Sequence, residues 1–145
     1  MNELIAQLRK VLASNFALYL KTHMFHWNVE GPNFNDYHAF WAGVYGDLYA
    51  QSDLLAEYIR QAGEYAPGSL TVYSEASDVK DEEGFPKAEQ MFMQFQVDNS
   101  TMIRLYEELY HVAEENHQHQ ISNYAADRLG AHRKHAWMAR SILKD

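Results

Sequence analysis

Two histidines in the first third of the chain, His26 and His38, have the residue type and spacing to bind a metal ion together. They flank the Gly-Pro turn of the segment "HWNVEGPNFNDYH". An antiparallel helical hairpin built on that turn places both imidazoles at a similar height, about one helical turn from the loop. Imidazole nitrogen is a common ligand for transition metals. The alternative for either residue is a buried histidine whose ring hydrogen-bonds a backbone carbonyl.

The carboxylates that would complete such a site are Asp53 and Glu57. They are four residues apart and therefore share one face of a helix, where like charges destabilise the helix unless a cation relieves them. Their neighbours in "LLAEYI" are apolar, which predicts partial burial and hence a need for a partner. The alternative is a solvated acidic face.

These groups cannot share an ion within one chain. Asp53 lies fifteen positions after His38, which is roughly 22 Å along one helix, whereas metal–ligand bonds are about 2 Å long. A second copy, related by a two-fold axis with the hairpins antiparallel, would bring His26 and His38 of one subunit to Asp53 and Glu57 of the other. Mixed imidazole and carboxylate ligands suit iron or zinc.

Hydrophobic periodicity predicts four long helices that position these residues. Their expected bounds are Asn2 to about Glu30, about Phe34 to Ala62, about Lys87 to Asn116, and about Ile121 to Leu143. Asn33 or Asn35 is the expected N-cap of the second helix, and Gly63 follows its C-terminus. The long connection before Pro86 contains a short predicted helix in "SLTVYSEASDV". The predicted fold is all-α, a ferritin-like four-helix bundle with a short extra helix in the crossover between its second and third long helices.

Composition narrows the function classes. The 145 residues suit one domain spanning 1–145, and the formal net charge is −8 without a basic tail, which makes binding of DNA unlikely or weak. No apolar run is long enough to span a membrane, and the N-terminus lacks the pattern of a signal peptide, so a cytoplasmic protein is expected. The absence of cysteine excludes disulfides, thiolate metal sites and a cysteine nucleophile.

The segments "HWNVEGPNFNDYHAFW", "DLLAEYIRQAGEYAPGSL" and "ADRLGAHRKHAWMARSIL" together resemble the Dps family, the mini-ferritins named as DNA-binding proteins from starved cells. The family pattern is matched by His26-Trp27, His38, Asp53 and Glu57. The resemblance implies a hollow dodecamer that binds Fe(II) at sites on two-fold interfaces. It also implies a ferroxidase that oxidises the iron, preferably with hydrogen peroxide, stores the ferric product and so protects against oxidative damage. In such a site Trp27 would lie near the iron and could donate an electron.

The chain departs from the family pattern at several positions. Ala42 stands four residues after His38, where the family usually has Asp, and Ala39 also lacks a carboxylate. At the expected iron-entry pore, Asp127 matches one family Asp and Ser122 replaces the other. We therefore expect one tight and one weak metal position per site. The alternative is a non-catalytic or weakly catalytic shell or metal-binding protein with a degenerate ferroxidase site.

Two Glu-x-x-His motifs resemble those of di-iron bundles, but such a site needs the motifs on different helices. Both motifs here, Glu108–His111 and Glu114–His117, fall on the third long helix, which predicts a solvated face. On the last helix, His132 and His135 are spaced to chelate a metal or to pack. Other residues weighed were His23 as an assisting ligand, His119 as solvated, and three tryptophans as core or interface residues: Trp27, Trp41 and Trp137.

Overall fold

The computed structural model describes residues 1–144 and is built from helices alone. Five helices follow one another: α1 (Asn2–Asn28), α2 (Phe34–Gln61), α3 (Leu70–Ala76), α4 (Ala88–Glu115) and α5 (His119–Ile142). No strand occurs within residues 1–144. The predicted all-α bundle with a short helix in the crossover is confirmed, and each predicted end of a long helix lies within two residues of the observed one. The largest differences are an earlier end of α1 and an earlier start of α5.

The turn between α1 and α2 is built from residues that cannot continue a helix. Val29 adopts an extended conformation while its N–H still donates to the Phe25 carbonyl, and its buried side chain anchors the chain there. Gly31 has φ 123°, a conformation that strains any L side chain. Asn33 occupies the predicted N-cap position of α2, but its side chain makes no capping hydrogen bond.

Hydrogen bonds hold the crossover between α2 and α4 near its start and in its second half. Gly63 has φ 93°, as predicted for the residue that ends α2, and the next N–H bonds back to the Ile59 carbonyl. Ser69 caps α3 by accepting a hydrogen bond from the Val72 N–H. The Asp78 N–H donates to the Ser14 hydroxyl at 2.9 Å, which ties the crossover to α1.

The four long helices enclose a hydrophobic core. Helix α1 packs along α2, α4 packs along α5, and α1 also contacts α4 and α3. Trp41 is buried and stacks on Phe92, so the core assignment is confirmed for this tryptophan, whereas Trp27 and Trp137 are exposed in the single chain. Within the described chain, no helix is both long and apolar enough to cross a lipid bilayer. Fully buried members of the core include Leu4, Leu8, Leu12, Leu18, Phe25, Leu48, Leu55, Phe95 and Leu109.

Candidate metal centre

His26 and His38 meet at the closed end of the α1–α2 hairpin. His26 lies in the last turn of α1, and His38 lies in the second turn of α2. Their half-buried rings stack with centroids 3.7 Å apart and planes 15° apart. Phe34 stacks on His38 as well, with its ring centroid at 4.9 Å. The hairpin thus brings together the two imidazoles that the sequence singled out.

Each histidine is oriented by the backbone of the other. The Nδ1–H of His26 donates to the His38 carbonyl oxygen at 2.7 Å, and the Nδ1–H of His38 donates to the His26 carbonyl oxygen at 2.7 Å. A carbonyl oxygen only accepts, so Nδ1 carries a proton in both rings, and the neutral form of each ring offers the Nε2 lone pair to a ligand. Metal-binding histidines typically donate their second nitrogen to a carbonyl in this way. The carbonyl-bound histidine and the metal ligand are therefore compatible roles here.

Asp53 and Glu57 are not brought to the histidines. Both carboxylates are exposed on α2, which is unbroken from Phe34 to Gln61, so the separation of roughly 22 Å from His38 stands. The expectation of partial burial is wrong for these two side chains in the single chain, because Leu55 and Ile59 take the buried positions. Within residues 1–144, no three His, Cys, Asp or Glu side chains are grouped closely enough to hold a metal.

His38 and Asp53 nevertheless occupy one side of α2. At 3.6 residues per turn, Asp53 is rotated only about 60° from His38 around the helix axis. Small residues fill much of the surface between them: Ala42 is half-buried, and Gly46 and Ala50 are exposed. A Cβ atom added at Gly46 would meet nothing within 4 Å. This stretch of α2 is therefore open to close approach by another helix.

Aromatic side chains surround the histidine pair on the α1 side. The His23 ring stacks on Tyr45 at 3.8 Å with the planes 8° apart, and Trp27 lies against its other side at 4.2 Å. The Tyr19 hydroxyl is 3.0 Å from His23 Nδ1. Burial, and then electrostatic interaction with the neighbouring His26 ring, lowers the pKa of His23. The Nδ1 of His23 is thus engaged by Tyr19, which differs from the carbonyl bonding of the other two rings.

The two residues expected at an iron-entry pore, Asp127 and Ser122, differ in exposure to solvent. Asp127 is exposed on α5. Ser122 is fully buried, and its hydroxyl hydrogen-bonds the Glu114 carboxylate at 2.5 Å, so it is unavailable to line a pore. Glu114 is half-buried, and its hydrogen bonds from Ser122 and then His119 lower its pKa. The side chain of Glu114 is nevertheless 41% exposed and His117 is exposed, which agrees with the prediction of a solvated face.

The two histidines of α5 belong to a buried polar network rather than a chelating pair. His132 is fully buried, with Nδ1 2.7 Å from the Asn99 side-chain oxygen. His135 Nε2 donates to the Asp47 carboxylate at 3.1 Å. Arg128 binds the same carboxylate through both terminal nitrogens, at 2.8 and 2.6 Å. Packing, one of the two alternatives for these histidines, is what the structure shows for His132.

This network shifts the pKa values of two of its members, Asp47 and His132. Burial alone would raise the pKa of Asp47, but hydrogen bonds from His135 and Arg128 outweigh it and hold that pKa well below its usual range. Burial, followed by the charge of Arg128, lowers the pKa of His132 well below its usual value. Asp47 and Arg128 escaped the sequence analysis. The available signal was the spacing of Arg128, His132 and His135, which repeats every three or four residues along one face of α5.

Comparison with known proteins agrees with this architecture. The ferritin-like domain family model matches residues 5–145. The DNA protection during starvation protein of Helicobacter pylori is 28% identical over 137 residues, covering 94% of this chain and 95% of that protein. The crystal structure of Dps from Staphylococcus aureus superposes with a TM-score of 0.95 at 28% identity, covering 100% of this chain and 97% of that one. A Dps protein from Bacillus brevis gives 0.94 at 26% identity, with 99% and 96% covered.

The sequence, the fold and the comparisons agree on the same architecture. The four-helix bundle carries its short helix in the crossover between α2 and α4, and the relatives match this chain nearly end to end. The chain belongs to the ferritin-like family, as a mini-ferritin of the Dps type.

Proposed function

We propose that this protein oxidises Fe(II), with hydrogen peroxide as the preferred oxidant, at sites shared by two subunits, and stores the ferric iron inside an oligomeric shell. The observation that carries the proposal is the reciprocal bonding of His26 and His38. It holds two imidazoles through Nδ1 and leaves Nε2 of each ring for a metal ion, at one end of the exposed face of α2. The carboxylates of Asp53 and Glu57 lie at the other end of the same face.

A two-fold axis across α2 would complete the site. If His38 of one subunit faces Asp53 of its partner, the axis passes between residues 45 and 46, because the same pairing must hold in reverse. That point is midway along the stretch of small residues, where a Cβ at Gly46 would meet no other atom. Two equivalent sites form, each with imidazoles from one subunit and carboxylates from the other.

The surface around this face favours a second copy of the chain as its partner. Large apolar side chains are exposed on α1, α2 and α3, among them Leu20, Trp27, Tyr49 and Leu70. Exposed apolar groups that lie close together indicate an interface. The middle of the bundle, where di-iron proteins of this architecture hold their metals, is instead filled by the ion pair of Arg128 and Asp47. A closed shell of twelve copies is the assembly that the resemblance to Dps proteins implies.

The proposed ligands suit iron and its oxidation. Imidazole nitrogen binds Fe(II), and carboxylate oxygen is a harder, negatively charged ligand. The negative charges of Asp53 and Glu57 stabilise the ferric product more than the ferrous substrate, because the charge on the ion increases by one. Zn(II) or another divalent ion accepts the same ligands and would compete with Fe(II) for the site.

The acidic surface bears on how protection would be achieved. The formal net charge is −8, which opposes binding to a phosphate backbone. We therefore propose that the protein protects the cell by removing Fe(II) and peroxide, rather than by coating DNA.

Subunit mixing tests the shared site. A His26→Ala variant and an Asp53→Asn variant should each be nearly inactive alone. In a mixed dimer, one site has both defects and the other has neither. Random pairing should therefore restore about a quarter of the wild-type sites. The measurement is Fe(II) oxidation by peroxide, followed through ferric absorbance after the two variants are dissociated and reassembled together.

The matched control mixes His26→Ala with His38→Ala. Both changes affect the histidine end, so every site in the mixed dimer remains defective and no activity should return. Equal recovery in the two mixtures, or no recovery in either, would show that the site is not divided between subunits as proposed.

Ala42 supports the second candidate function, a weakly catalytic shell. It is half-buried one turn after His38 on the same side of α2, and it gives a metal no oxygen ligand. We expect Ala42→Asp to strengthen the second metal position and to speed the peroxide reaction at least several-fold. Calorimetric titration with Zn(II), together with stopped-flow iron oxidation, measures both effects.

Gly43→Asp is the matched control for Ala42→Asp. It adds the same charge one residue later, about 100° around the helix, and should leave metal binding unchanged. If the wild-type protein already binds two metals per site with similar affinity, Ala42 is not a missing ligand position.

A further inference from the structure

The turn between α4 and α5 brings together a carboxylate and two imidazoles that the proposed iron site does not use. Glu114 lies in the last turn of α4, His117 lies in the connecting turn, and His119 begins α5. His119 Nδ1 is 3.5 Å from a Glu114 carboxylate oxygen, and the rings of His117 and His119 have centroids 6.4 Å apart. Solvent reaches all three groups, since the side chains of His119 and Glu114 are 66% and 41% exposed and His117 is also exposed.

The spacing of His119 and Glu114 matches two ligands on one metal ion better than a strong hydrogen bond. Hydrogen bonds from nitrogen to oxygen in proteins are mostly about 2.7–3.2 Å long. Bonds from zinc to imidazole nitrogen and carboxylate oxygen are about 2.0–2.2 Å, so two of them at a tetrahedral angle hold the two ligand atoms about 3.4 Å apart. The observed 3.5 Å therefore suits an ion bound to both groups.

A buried hydroxyl holds the Glu114 carboxylate in place. Ser122 is fully buried, and its Oγ donates a hydrogen bond to Glu114 at 2.5 Å. This bond, and then the one from His119, lowers the pKa of Glu114, so the carboxylate is charged at neutral pH. Carboxylates that bind metals are typically oriented by a hydrogen bond of this kind.

His117 has a backbone conformation that usually belongs to glycine. Its φ is 57°, and it is the one non-glycine residue with positive φ among residues 1–144. The Gln118 N–H donates to the Ala113 carbonyl at 2.8 Å, which closes the common helix-ending turn that has glycine or asparagine at this position. A histidine here costs stability. In return, it places an imidazole beside His119.

We propose that Glu114, His117 and His119 together bind a divalent transition-metal ion of the borderline class, such as Zn(II), Cu(II) or Ni(II). Two imidazoles and one carboxylate suit these ions, and Cu(II) should bind the most tightly. Glu114 and His119 already have the spacing of two ligands. A change of side-chain rotamer at the exposed His117 brings the third, and water completes the coordination.

This turn is far from the histidine pair proposed for iron. The Gln120 side chain donates to Gln61 Oε1 at 3.4 Å, which places the turn beside the last residue of α2. His38 lies 23 residues earlier on that helix, roughly 35 Å away. The proposed ion site therefore does not rest on the proposed iron chemistry, and each can be tested without the other.

Calorimetric titration with Zn(II) tests the proposal in a background where His26 and His38 are both changed to alanine. This background should still bind one Zn(II) per subunit. Adding His117→Asn should weaken that binding at least about 10-fold, because even groups that only support metal ligands have effects of this size. Asparagine tolerates the left-handed turn, so the fold should be retained. His111→Gln removes another exposed histidine of α4, and as the matched control it should leave binding unchanged.

Electron paramagnetic resonance of bound Cu(II) counts the nitrogen ligands directly. The same background should show two imidazole nitrogens, and the variant with His117→Asn should show one. Absence of Zn(II) binding in the background, or equal weakening by His117→Asn and His111→Gln, overturns this site and leaves the proposed iron chemistry standing. An unchanged number of nitrogens after His117→Asn also overturns it, because the ion then lies elsewhere.

Discussion

Replacing Arg128 with methionine should lower the free energy of unfolding by about 3 kcal/mol, because it leaves a buried carboxylate without its counter-charge. The Arg128 side chain is only 7% exposed and the Asp47 side chain 28% exposed. The guanidinium also makes both of its short hydrogen bonds to that carboxylate. Methionine fills a similar volume but offers neither charge nor donor. Urea unfolding at one fixed subunit concentration measures the effect, since association between subunits contributes to apparent stability.

Arg133→Met is the matched control on the same helix. Arg133 pairs with Glu107 at 3.0 Å, but the Arg133 side chain is 62% exposed and the Glu107 side chain is 50% exposed. Loss of this ion pair should therefore change the free energy of unfolding by less than about 1 kcal/mol. A double variant, Arg128→Met with Asp47→Leu, should recover most of the loss. Equal effects of Arg128→Met and Arg133→Met would contradict the importance given to the buried pair.

The loss should also depend on pH in a defined direction. In the wild type the pKa of Asp47 is depressed, so its stabilising contribution is complete above the ordinary carboxyl pKa of about 3.9 and is lost as pH falls through the lower folded value. Without Arg128, Asp47 is more easily protonated, and its neutral form needs no counter-charge. The stability difference between wild type and Arg128→Met should therefore shrink as pH is lowered toward 4.

Changing Asp53 to asparagine should slow Fe(II) oxidation by at least about 100-fold, because even residues that only support metal ligands change affinity or activity by about 10- to 100-fold. Asparagine keeps the shape and removes the negative charge that favours the ferric ion. Asp53 is exposed in the single chain, so the folding of the subunit should not suffer. Stopped-flow ferric absorbance at limiting Fe(II) measures the rate, and calorimetry with Zn(II) measures binding without redox chemistry.

Glu89→Gln supplies the matched control for Asp53→Asn. It removes one exposed carboxylate from the first turn of α4, a helix that carries none of the proposed iron ligands, and it should leave both readouts unchanged. Unaltered Zn(II) affinity and oxidation rate in Asp53→Asn would remove Asp53 from the site and with it the case for shared ligands.

The helices could be predicted from the sequence because hydrophobic periodicity, turn glycines and capping residues act over only a few neighbouring residues. One glycine with positive φ lies in the hairpin turn, another follows the end of the second helix, and Ser69 caps the short crossover helix. The spacing of His26 and His38 about a short turn was enough to predict that they meet. The exposure of Asp53 was misjudged because the apolar residues beside it were read as a buried environment. In a helix, Leu55 points about 200° away from Asp53, so one is buried while the other faces outward.

The contacts that the sequence did not predict join side chains on different helices. Asp47 and Arg128 are 81 residues apart, and each looks like an ordinary surface charge until α2 and α5 are placed side by side. Ser122 was compared with a family position by its place in the chain, whereas its burial depends on how α5 begins against the end of α4. The hydrogen bond between Ser122 and Glu114 follows from that packing and has no signature in residue spacing.

The reciprocal bonds of His26 and His38 also make the length of a loop part of the site. Each ring is held by a backbone atom of the opposite helix, so the two bonds form only at one register of α2 against α1. One residue inserted between Val29 and Phe34 would shift that register by about 1.5 Å and rotate α2 by about 100°. Both Nδ1–carbonyl hydrogen bonds, and with them the orientation of the two rings, would then be lost. Every proposed ligand would still be present in the sequence. We therefore expect the proposed metal site to depend on the number of residues in the turn as well as on the identity of its ligands.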